Sequence, residues 1–410
     1  MRKRFVCLKI FHSAIVILSC LLAATGAQAA ESKLIPEISI KQTYNDNINF
    51  STTEEKNDLI LTVTPILRWN SQTERTGITA NAEMDVIRYG KEHNLDEVNQ
   101  KYSLGYDFRA TELLGLNLNG SLIKDTTLDT EMEETGLVLK RTKRHFYHIK
   151  PGLSWYMGEK TQLNLTCGYT RAEYGASGYS DYDIYDGTLE LVHTLSKEGA
   201  TVSAQGGYTH SDYETSNVDN YRLYLGLSYP FTQKLKLTAW AGARYTKSEY
   251  QVKEWEPVYW PGTSIIKDKD YRIVKKTEFN RNWGGLGYLS LTRAFTDGSV
   301  SVGINRDISP SGLGETIERD RATLDINYRF TQFITGRFNG SLSRSRSESE
   351  YRDTDQELYH LRSLLSWKIA ERVLAELSYQ YSKTEYKNID TNADRNIIFL
   401  RFRIYWEKLI

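Results

Sequence analysis

The chain has 410 residues, with 52 basic and 52 acidic side chains, so its formal net charge is zero. This balance gives no indication of a nucleic-acid partner. The mean hydropathy is −0.52, and beyond the N-terminus no apolar run reaches the roughly 18 residues that a membrane-crossing helix needs. A helical membrane protein is therefore excluded, whereas 28 tyrosines and 28 glycines beside only 7 prolines favour long antiparallel strands with aromatic girdles.

Residues 1–30 predict a secretory signal peptide. A basic start precedes an apolar stretch, and small residues lead to an expected cleavage site after Ala29 or Ala30. The remaining residues, 31–410, are expected to form one domain. Cys167 is then the only thiol of the mature chain, so no disulfide can form within it.

Eighteen segments in which apolar and polar residues alternate follow one another along the chain. They lie near residues 34–47, 57–70, 75–89, 97–109, 113–124, 141–156, 160–174, 182–195, 199–213, 218–231, 234–250, 277–294, 298–308, 316–330, 333–347, 354–369, 372–387 and 395–407. Alternation with a period of two indicates strands that have one apolar and one polar face.

The segment pair at residues 221–245 shows the pattern most clearly. Leu223, Leu225 and Leu227 alternate with polar or small residues, and a short turn leads into a second alternating arm. Arms of about ten or more residues are longer than typical strands of soluble sandwiches and match strands that cross a bilayer at a tilt. The pattern predicts an all-β fold, a single transmembrane antiparallel up-and-down β-barrel of about 18 strands.

The lengths of the connections support the same interpretation. Every second connection is a short turn, such as SQTER, ATE or TQ, and the others are longer and more charged. Short periplasmic turns, long outer loops and an even strand count are the arrangement of bacterial outer-membrane barrels. The longest connection, residues 251–276, is long enough to fold inward as a constriction.

A family resemblance is carried by the first residues of the mature chain. Tyr44, Asp46 and Asn47 lie in the segment PEISIKQTYNDNINFS, and Thr64 and Pro65 lie in NDLILTVTPILRW. These segments resemble the opening strands of a porin-2-like outer-membrane β-barrel family that is often associated with exopolysaccharide biosynthesis and export. The resemblance implies porin-like transport or a role near polysaccharide secretion.

No catalytic or metal-binding constellation stands out in the sequence. His210, Ser211 and Asp212 are the tightest local cluster, but adjacent strand residues point to opposite faces. Asn and Asp clusters lie at residues 45–47 and 181–186. Their side-chain oxygens could ligate Ca²⁺, but turn formation near strand ends is the more economical interpretation. The sequence therefore predicts neither an enzyme nor a cofactor.

Charges on the predicted inward face are the candidate functional site. The late strands are mainly basic on this face, although Asp325 and Glu376 oppose them, and Trp240 also turns inward. The candidate pore-lining residues are Glu83, Asp85, Asp107, Trp240, Arg319, Arg321, Arg329, Arg337, Arg362, Lys368, Arg401 and Arg403. Two interpretations stay open: a positive field that concentrates anions, or paired charges that hold the wall together.

The predicted function is an outer-membrane channel that passes hydrophilic solutes or exopolysaccharide, with a preference for anionic cargo. The alternative is a non-conducting accessory barrel of an exopolysaccharide secretion system. The expected location is the Gram-negative outer membrane after Sec-type export. The expected partners are outer-membrane lipid, the barrel-assembly machinery, and polysaccharide or periplasmic export proteins.

Overall fold

The computed structural model describes residues 31–137, 140–196, 199–259, 266–347 and 354–409. The expected signal peptide, residues 1–30, lies outside these ranges. Long strands β1 to β18 make up most of the described chain, with bounds Glu31–Asn45, Asp58–Gln72, Thr76–Tyr89, Glu97–Arg109, Leu114–Thr126, Lys143–Tyr156, Thr161–Tyr174, Tyr182–Thr194, Thr201–Tyr213, Ser216–Thr232, Leu235–Tyr259, Ile266–Ala294, Gly298–Ser311, Glu315–Arg329, Ile334–Ser347, Asp355–Ala370, Val373–Tyr386 and Thr391–Tyr405.

The remaining regular elements are short. A two-residue strand, β19 (Lys408–Leu409), pairs with β1. The helical pieces are the 3₁₀ turn His93–Leu95, the π turn Thr127–Glu131 and the α turn Met132–Thr135. In the described ranges, no helix has the length and apolar character required to cross a membrane.

The sheet closes into a barrel because the first and last long strands pair with each other. β1 lies antiparallel to β2 on one side and to β18 on the other, where the register runs from Glu37↔Tyr405 to Asn45↔Ile397. Every other long strand pairs antiparallel with the strands before and after it. The predicted up-and-down barrel of about 18 strands is confirmed.

The two ends of the barrel differ in their connections. At one end, which we call the turn end, most connections have two to four residues, as at 73–75, 110–113, 157–160, 233–234 and 371–372. The opposite end, the loop end, carries the longer segments between β1 and β2 and between β5 and β6. The even number of long strands places the start of β1 and the end of β18 together at the turn end.

One prediction about the loops is wrong. Residues 251–259 and 266–276 do not form an inward constriction, because β11 and β12 continue as paired strands from Gln251↔Thr277 to Pro257↔Tyr271. Only the tip, residues 260–265, lies outside the described part of this hairpin. The alternation is weak in this stretch, and backbone pairing in a hairpin does not require it.

The two faces of the sheet separate polar from apolar side chains around the whole barrel. On β10, Leu223, Leu225 and Leu227 point outward and are 63%, 68% and 39% exposed. Their neighbours Tyr224 and Ser228 point into the lumen and are less exposed. Because side chains alternate along a strand, the cross-strand register carries the same division from β1 to β18.

Outward-facing aromatic rings form a girdle toward the loop end of β7 to β12. The ring centroids of Tyr169 and Tyr185 are 5.2 Å apart, and those of Tyr208 and Tyr221 are 5.1 Å apart. The last pair, Tyr245 and Trp283, is 4.9 Å apart. Rings with polar edges are typical of the boundary between the apolar and headgroup regions of a bilayer.

Leu225→Arg should destabilise the folded barrel by about 2–4 kcal/mol, because it places a charge on the lipid face near the bilayer midplane. Ser228→Arg is the control, since the same side chain would enter the aqueous lumen. Gly226 is unsuitable as a control because a Cβ there would lie 2.3 Å from Ser203 Oγ. Urea unfolding in liposomes measures both variants, and equal losses of stability would contradict the assigned faces.

Candidate functional site

The chain between β5 and β6 folds into the barrel. We call residues 127–142 the inner segment. Its base is fixed by the Thr127 hydroxyl, which donates to the Lys140 carbonyl at 2.9 Å, and by the Thr126 hydroxyl, which donates to Asp129 at 2.7 Å. Within it, Leu137 is fully buried. A loop exposed to solvent on both sides would not bury such a residue.

Polar contacts join the inner segment to the far wall of the barrel. The Gly312 amide donates to Glu131 Oε1 at 3.0 Å, and the Ser345 hydroxyl donates to the Thr135 carbonyl at 2.8 Å. The Arg319 guanidinium donates to the Glu134 carbonyl. β14 lies nine positions from β5 in a ring of eighteen strands, so the inner segment crosses the full width of the lumen.

Apolar contacts fix the same crossing at two places. Leu128 and Met132 pack with Phe50, Leu358 and Ala393 in one buried cluster. A second cluster joins Leu137 to Ile317 on β14. Burial of these side chains opposes release of the inner segment into solvent.

Gly136 permits the close approach to β15. Its φ of +73° ends the helical turn Met132–Thr135 in the left-handed region. A Cβ at this position would lie 2.7 Å from the Ser345 hydroxyl oxygen. Both the backbone conformation and the available space therefore favour glycine.

The tip of the β13–β14 hairpin, residues 307–319, also turns into the lumen. The Tyr213 hydroxyl donates to the Glu315 carbonyl at 3.1 Å, and the Ser216 hydroxyl donates to the Gly314 carbonyl at 2.8 Å. Glu318 accepts from Arg244 of β11 at 2.7 Å. The inner segment and this hairpin tip together fill much of the loop end.

A buried arginine anchors the inner segment to its own wall. Arg144 and Asp125 are both fully buried, and Arg144 Nε donates to Asp125 Oδ1 at 3.2 Å. Arg144 Nη1 also donates to Glu134 Oε2 at 2.8 Å. The second bond connects the wall directly to the inner segment.

Glu131 is the titratable group at the centre of the crossing. Burial raises the pKa of its carboxyl group, while the hydrogen bond from Gly312 and the charge of Arg144 oppose that rise. Protonation of this carboxyl group is therefore easier in the lumen than in solvent.

All twelve candidate pore-lining residues occupy inward-facing positions in the cross-strand register. The strands involved are β3 and β4 for the acidic set, β11 for Trp240, and β14, β15, β16 and β18 for the basic set. The register thus brings Arg337, Arg362 and Lys368 to neighbouring strands. Their role in conduction stays a prediction.

Several of the predicted basic residues are paired along the wall. Glu376 Oε2 accepts from Arg401 Nε at 2.6 Å and lies 3.4 Å from Arg403 Nε. Arg403 also lies 3.6 Å from Glu37 of β1, across the seam of the barrel. Arg319 pairs with Asp307 at 2.8 Å. These pairs support the interpretation that part of the basic set holds the wall together.

A second group differs from these pairs. The side chains of Arg337, Arg362 and Lys368 make no ion pair or hydrogen bond with another residue in the described part of the chain. They lie on adjacent strands β15 and β16, from the middle of the barrel to the turn end. Their positive charges are therefore available to the lumen.

The predicted acidic residues have different surroundings. Glu83 lies 3.9 Å from Lys101 Nζ, and Asp85 accepts from the Thr64 hydroxyl at 2.5 Å. Asp107 lies opposite Gly77 near the turn end. The acidic and basic sets therefore occupy separate parts of the wall.

Trp240 belongs to an aromatic group on the inward face. Its ring centroid lies 4.9 Å from that of Tyr224 in an edge-on arrangement and 5.9 Å from that of Tyr288 in a stacked one. Tyr288 was not among the predicted residues, although its position in the alternation of β12 could have identified it.

The entry of the inner segment into the lumen was not predicted from the sequence. Its loop contains Leu128, Met132 and Leu137 at spacings of four and five residues. Apolar residues in a predicted outer loop were the available signal that this loop packs against the rest of the protein. No sequence pattern indicates which wall these residues contact.

The candidate chemical clusters have structural roles. His210 points outward and its Nδ1 lies 2.8 Å from Asp219 Oδ1, whereas Ser211 points inward and is buried. Asn47 accepts from the Ser51 amide at 2.9 Å, as expected for a turn residue. Within the described ranges, no group of three His, Cys, Asp or Glu residues could hold a metal ion.

Comparisons with known proteins agree with the barrel. The family described as "Putative beta-barrel porin 2" matches residues 22–152, which confirms the resemblance found around Tyr44 and Pro65. No curated protein matches the sequence. The open form of the ferric-catecholate import receptor Fiu of E. coli K12 has a TM-score of 0.50 at 10% identity, with 92% of this chain and 81% of that chain covered.

Two other solved structures have lower TM-scores. Pseudomonas aeruginosa OpdK with vanillate has a TM-score of 0.48 at 9% identity, with 92% of this chain and 99% of that chain covered. Acinetobacter baumannii OccAB3 has a TM-score of 0.46 at 11% identity, with the same coverage. The family match covers the first part of the chain, and the similarity to Fiu shows the barrel fold.

Arg144→Met should lower the free energy of unfolding by about 3–5 kcal/mol, because it leaves Asp125 buried without its charged partner. Arg344→Met is the matched control, since Arg344 pairs with Asp355 on the outward face and is 44% exposed. Arg344→Met should lower the free energy of unfolding by a much smaller amount. Denaturant unfolding checks both, and equal losses would contradict the anchoring role of Arg144.

The raised pKa of Glu131 predicts pH-dependent occlusion. Its stabilising contribution is complete below the ordinary Glu pKa of about 4.3 and is lost as pH rises through the raised pKa. Conductance should therefore increase with pH in this window. Glu131→Gln keeps an acceptor for Gly312 and should abolish the dependence, whereas Glu55→Gln in the exposed β1–β2 loop should retain it. An unchanged pH response in Glu131→Gln would show that another group titrates.

Proposed function

We propose that this protein is an outer-membrane channel for small anionic hydrophilic solutes. The observation that carries the proposal is the group of Arg337, Arg362 and Lys368, which face the lumen without an acidic partner in the described part of the chain. Positive charge in an enclosure with low-dielectric walls concentrates anions. Selection is physical and needs no reaction.

The lumen offers space and polar groups for such solutes. Glu190, Gln205 and Arg222 line an inward cavity of about 420 Å³. Lys150 and Asp186 line another of about 310 Å³. A barrel of this strand number encloses an aqueous interior unless chain segments fill it. Outer-membrane lipid would surround the outward apolar band, as in other barrels of this kind.

The inner segment favours small solutes over a polymer. It crosses the lumen and is held by Glu131, Thr135 and two apolar clusters. A polysaccharide strand would have to displace all these contacts, whereas ions and small molecules need only the space beside them. Exopolysaccharide export would therefore require release of the inner segment.

A second candidate function rests on the same contacts. The inner segment and the tip of the β13–β14 hairpin close much of the loop end, and this closure favours a non-conducting accessory barrel as the second candidate. Such a barrel would anchor partner proteins of the periplasm. Electrical recordings separate the two functions.

Replacing Arg337, Arg362 and Lys368 by Gln should shift the reversal potential of reconstituted channels toward cations under a salt gradient. The positive field is reduced, and the effect should weaken as ionic strength rises because salt screens it. A matched control replaces Arg344, Lys383 and Lys387 by Gln. These residues lie outside the lumen, and their replacement removes the same amount of positive charge. An unchanged reversal potential in the lumen variant would overturn anion selection.

The same recordings include a variant in which a Gly-Ser linker replaces residues 128–141. It should conduct more than the native protein, and it allows selectivity to be measured if the native channel is closed. A linker of the same kind at residues 52–55, which are exposed, should leave conductance unchanged. Absence of conductance in both the native and the released protein would favour the accessory barrel.

A further inference from the structure

The inward cavity of about 420 Å³ on β8 to β11 contains two groups of opposite charge. Arg222 on β10 and Glu190 on β8 are the charged members of its lining. The amide of Gln205 and several hydroxyl groups line the space between them, and Tyr224 and Trp240 add an aromatic surface on β10 and β11. The cavity therefore presents one positive group, one negative group and two rings to the lumen.

Arg222 extends over the neighbouring strand, β9. It lies opposite Gly207, where a Cβ would be 3.5 Å from both Nε and Nη2 of the guanidinium group. Nη2 donates to the Thr209 hydroxyl at 2.8 Å, whereas Nε has no hydrogen-bond partner among the described residues. Arg222 also forms no ion pair with a carboxylate in the described part of the chain. Its charge is therefore not neutralised by the wall.

Glu190 is held from the opposite side of the cavity. Asn164 of β7 donates to Glu190 Oε2 at 3.2 Å, and no basic side chain in the described ranges pairs with this carboxylate. Glu190 lies opposite Gln205, which in turn lies opposite Tyr224. Two strand spacings and two residue spacings therefore put the Cα atoms of Glu190 and Arg222 about 12 Å apart. The contacts with Thr209 and Asn164 keep the two charged groups apart, with the cavity between them.

This separation of charges determines which ligand the cavity favours. Arg222 and Glu190 are both half-buried, and a charge that loses water without gaining a partner is costly. A ligand with one anionic and one cationic end supplies both partners at once. A dicarboxylate would bring a like charge to Glu190, and a diamine would bring one to Arg222.

We propose that this cavity binds a small zwitterion, an amino carboxylate in which a short methylene chain separates the ammonium and carboxylate groups. The carboxylate accepts from Arg222, the ammonium donates to Glu190, and the methylene chain lies on Tyr224 and Trp240. A volume of about 420 Å³ is within the range of small-molecule sites. The inference goes beyond the selection of anions, which rests on the basic group of β15 and β16.

The test measures equilibrium dialysis of tritiated 4-aminobutyrate against the folded protein in lipid nanodiscs. Unlabelled 4-aminobutyrate should displace the probe. Butyrate and butylammonium keep the four-carbon chain but carry one charge each, so each should displace the probe at least about tenfold less effectively, a difference of about 1.4 kcal/mol. Absence of binding, or equally effective displacement by either competitor, would overturn the proposal.

Two variants test which charge binds which end of the ligand. Arg222→Gln and Glu190→Gln should each weaken binding of 4-aminobutyrate at least about tenfold. Arg222→Gln should also lose the preference for 4-aminobutyrate over butylammonium, and Glu190→Gln should lose the preference over butyrate. Weaker binding with both preferences retained would show that the substitutions act indirectly, and it would overturn the assigned contacts.

Lys41→Gln and Asp325→Asn are the matched controls, because they remove one inward charge of each sign from other strands, β1 and β14. Both should bind 4-aminobutyrate like the native protein. Losses equal to those of the cavity variants would assign binding to the overall field of the lumen and overturn the site. Dialysis requires no current, so failure of this cavity is distinguishable from failure of the proposed channel.

Discussion

Closure of the backbone hydrogen-bond network constrains the rest of this structure, because the bilayer core offers no water to peptide groups that leave a sheet edge. The first and last long strands meet from Glu37 to Asn45 of β1, and inward charges reinforce this seam. Glu37 accepts from Arg68 at 2.6 Å and lies near Arg403, which also approaches Glu376. The ion pairs therefore connect four strands at the place where the ring depends on residues far apart in sequence.

A closed ring of eighteen strands creates a second requirement, since its interior is too wide for wall side chains to fill. The inner segment and the β13–β14 tip occupy part of that space. Arg144, which is buried in the wall beside Asp125, donates to Glu134 of the inner segment, and the buried Arg244 pairs with Glu318 of the β13–β14 tip. A buried charge is costly without its partner, so these pairs specify where each segment lies. The β13–β14 tip leaves the wall to make its contact with Arg244, and the pairing of β12 with β13 ends at Gly287↔Arg306.

The inward-facing basic residues thus form two groups. Arg319, Arg401 and Arg403 are paired, and they contribute to the arrangement of the wall and the inner segment. Arg337 and Arg362 lack such partners in the described residues, and they supply the field on which the proposed selectivity depends. The two interpretations that the sequence left open apply to different members of the same set.

The sequence by itself determined the strand number, the two faces and the inward positions of residues such as Trp240 and Arg362. Alternation is a local property, and a regular antiparallel register repeats it around the ring. Tertiary structure alone decided which loop enters the lumen, because Leu137 must meet Ile317 and Glu131 must meet Gly312 across it. Ion-pair partners and the end of the β12–β13 pairing were likewise decided by contacts between distant segments, and no periodicity in one chain segment records such contacts.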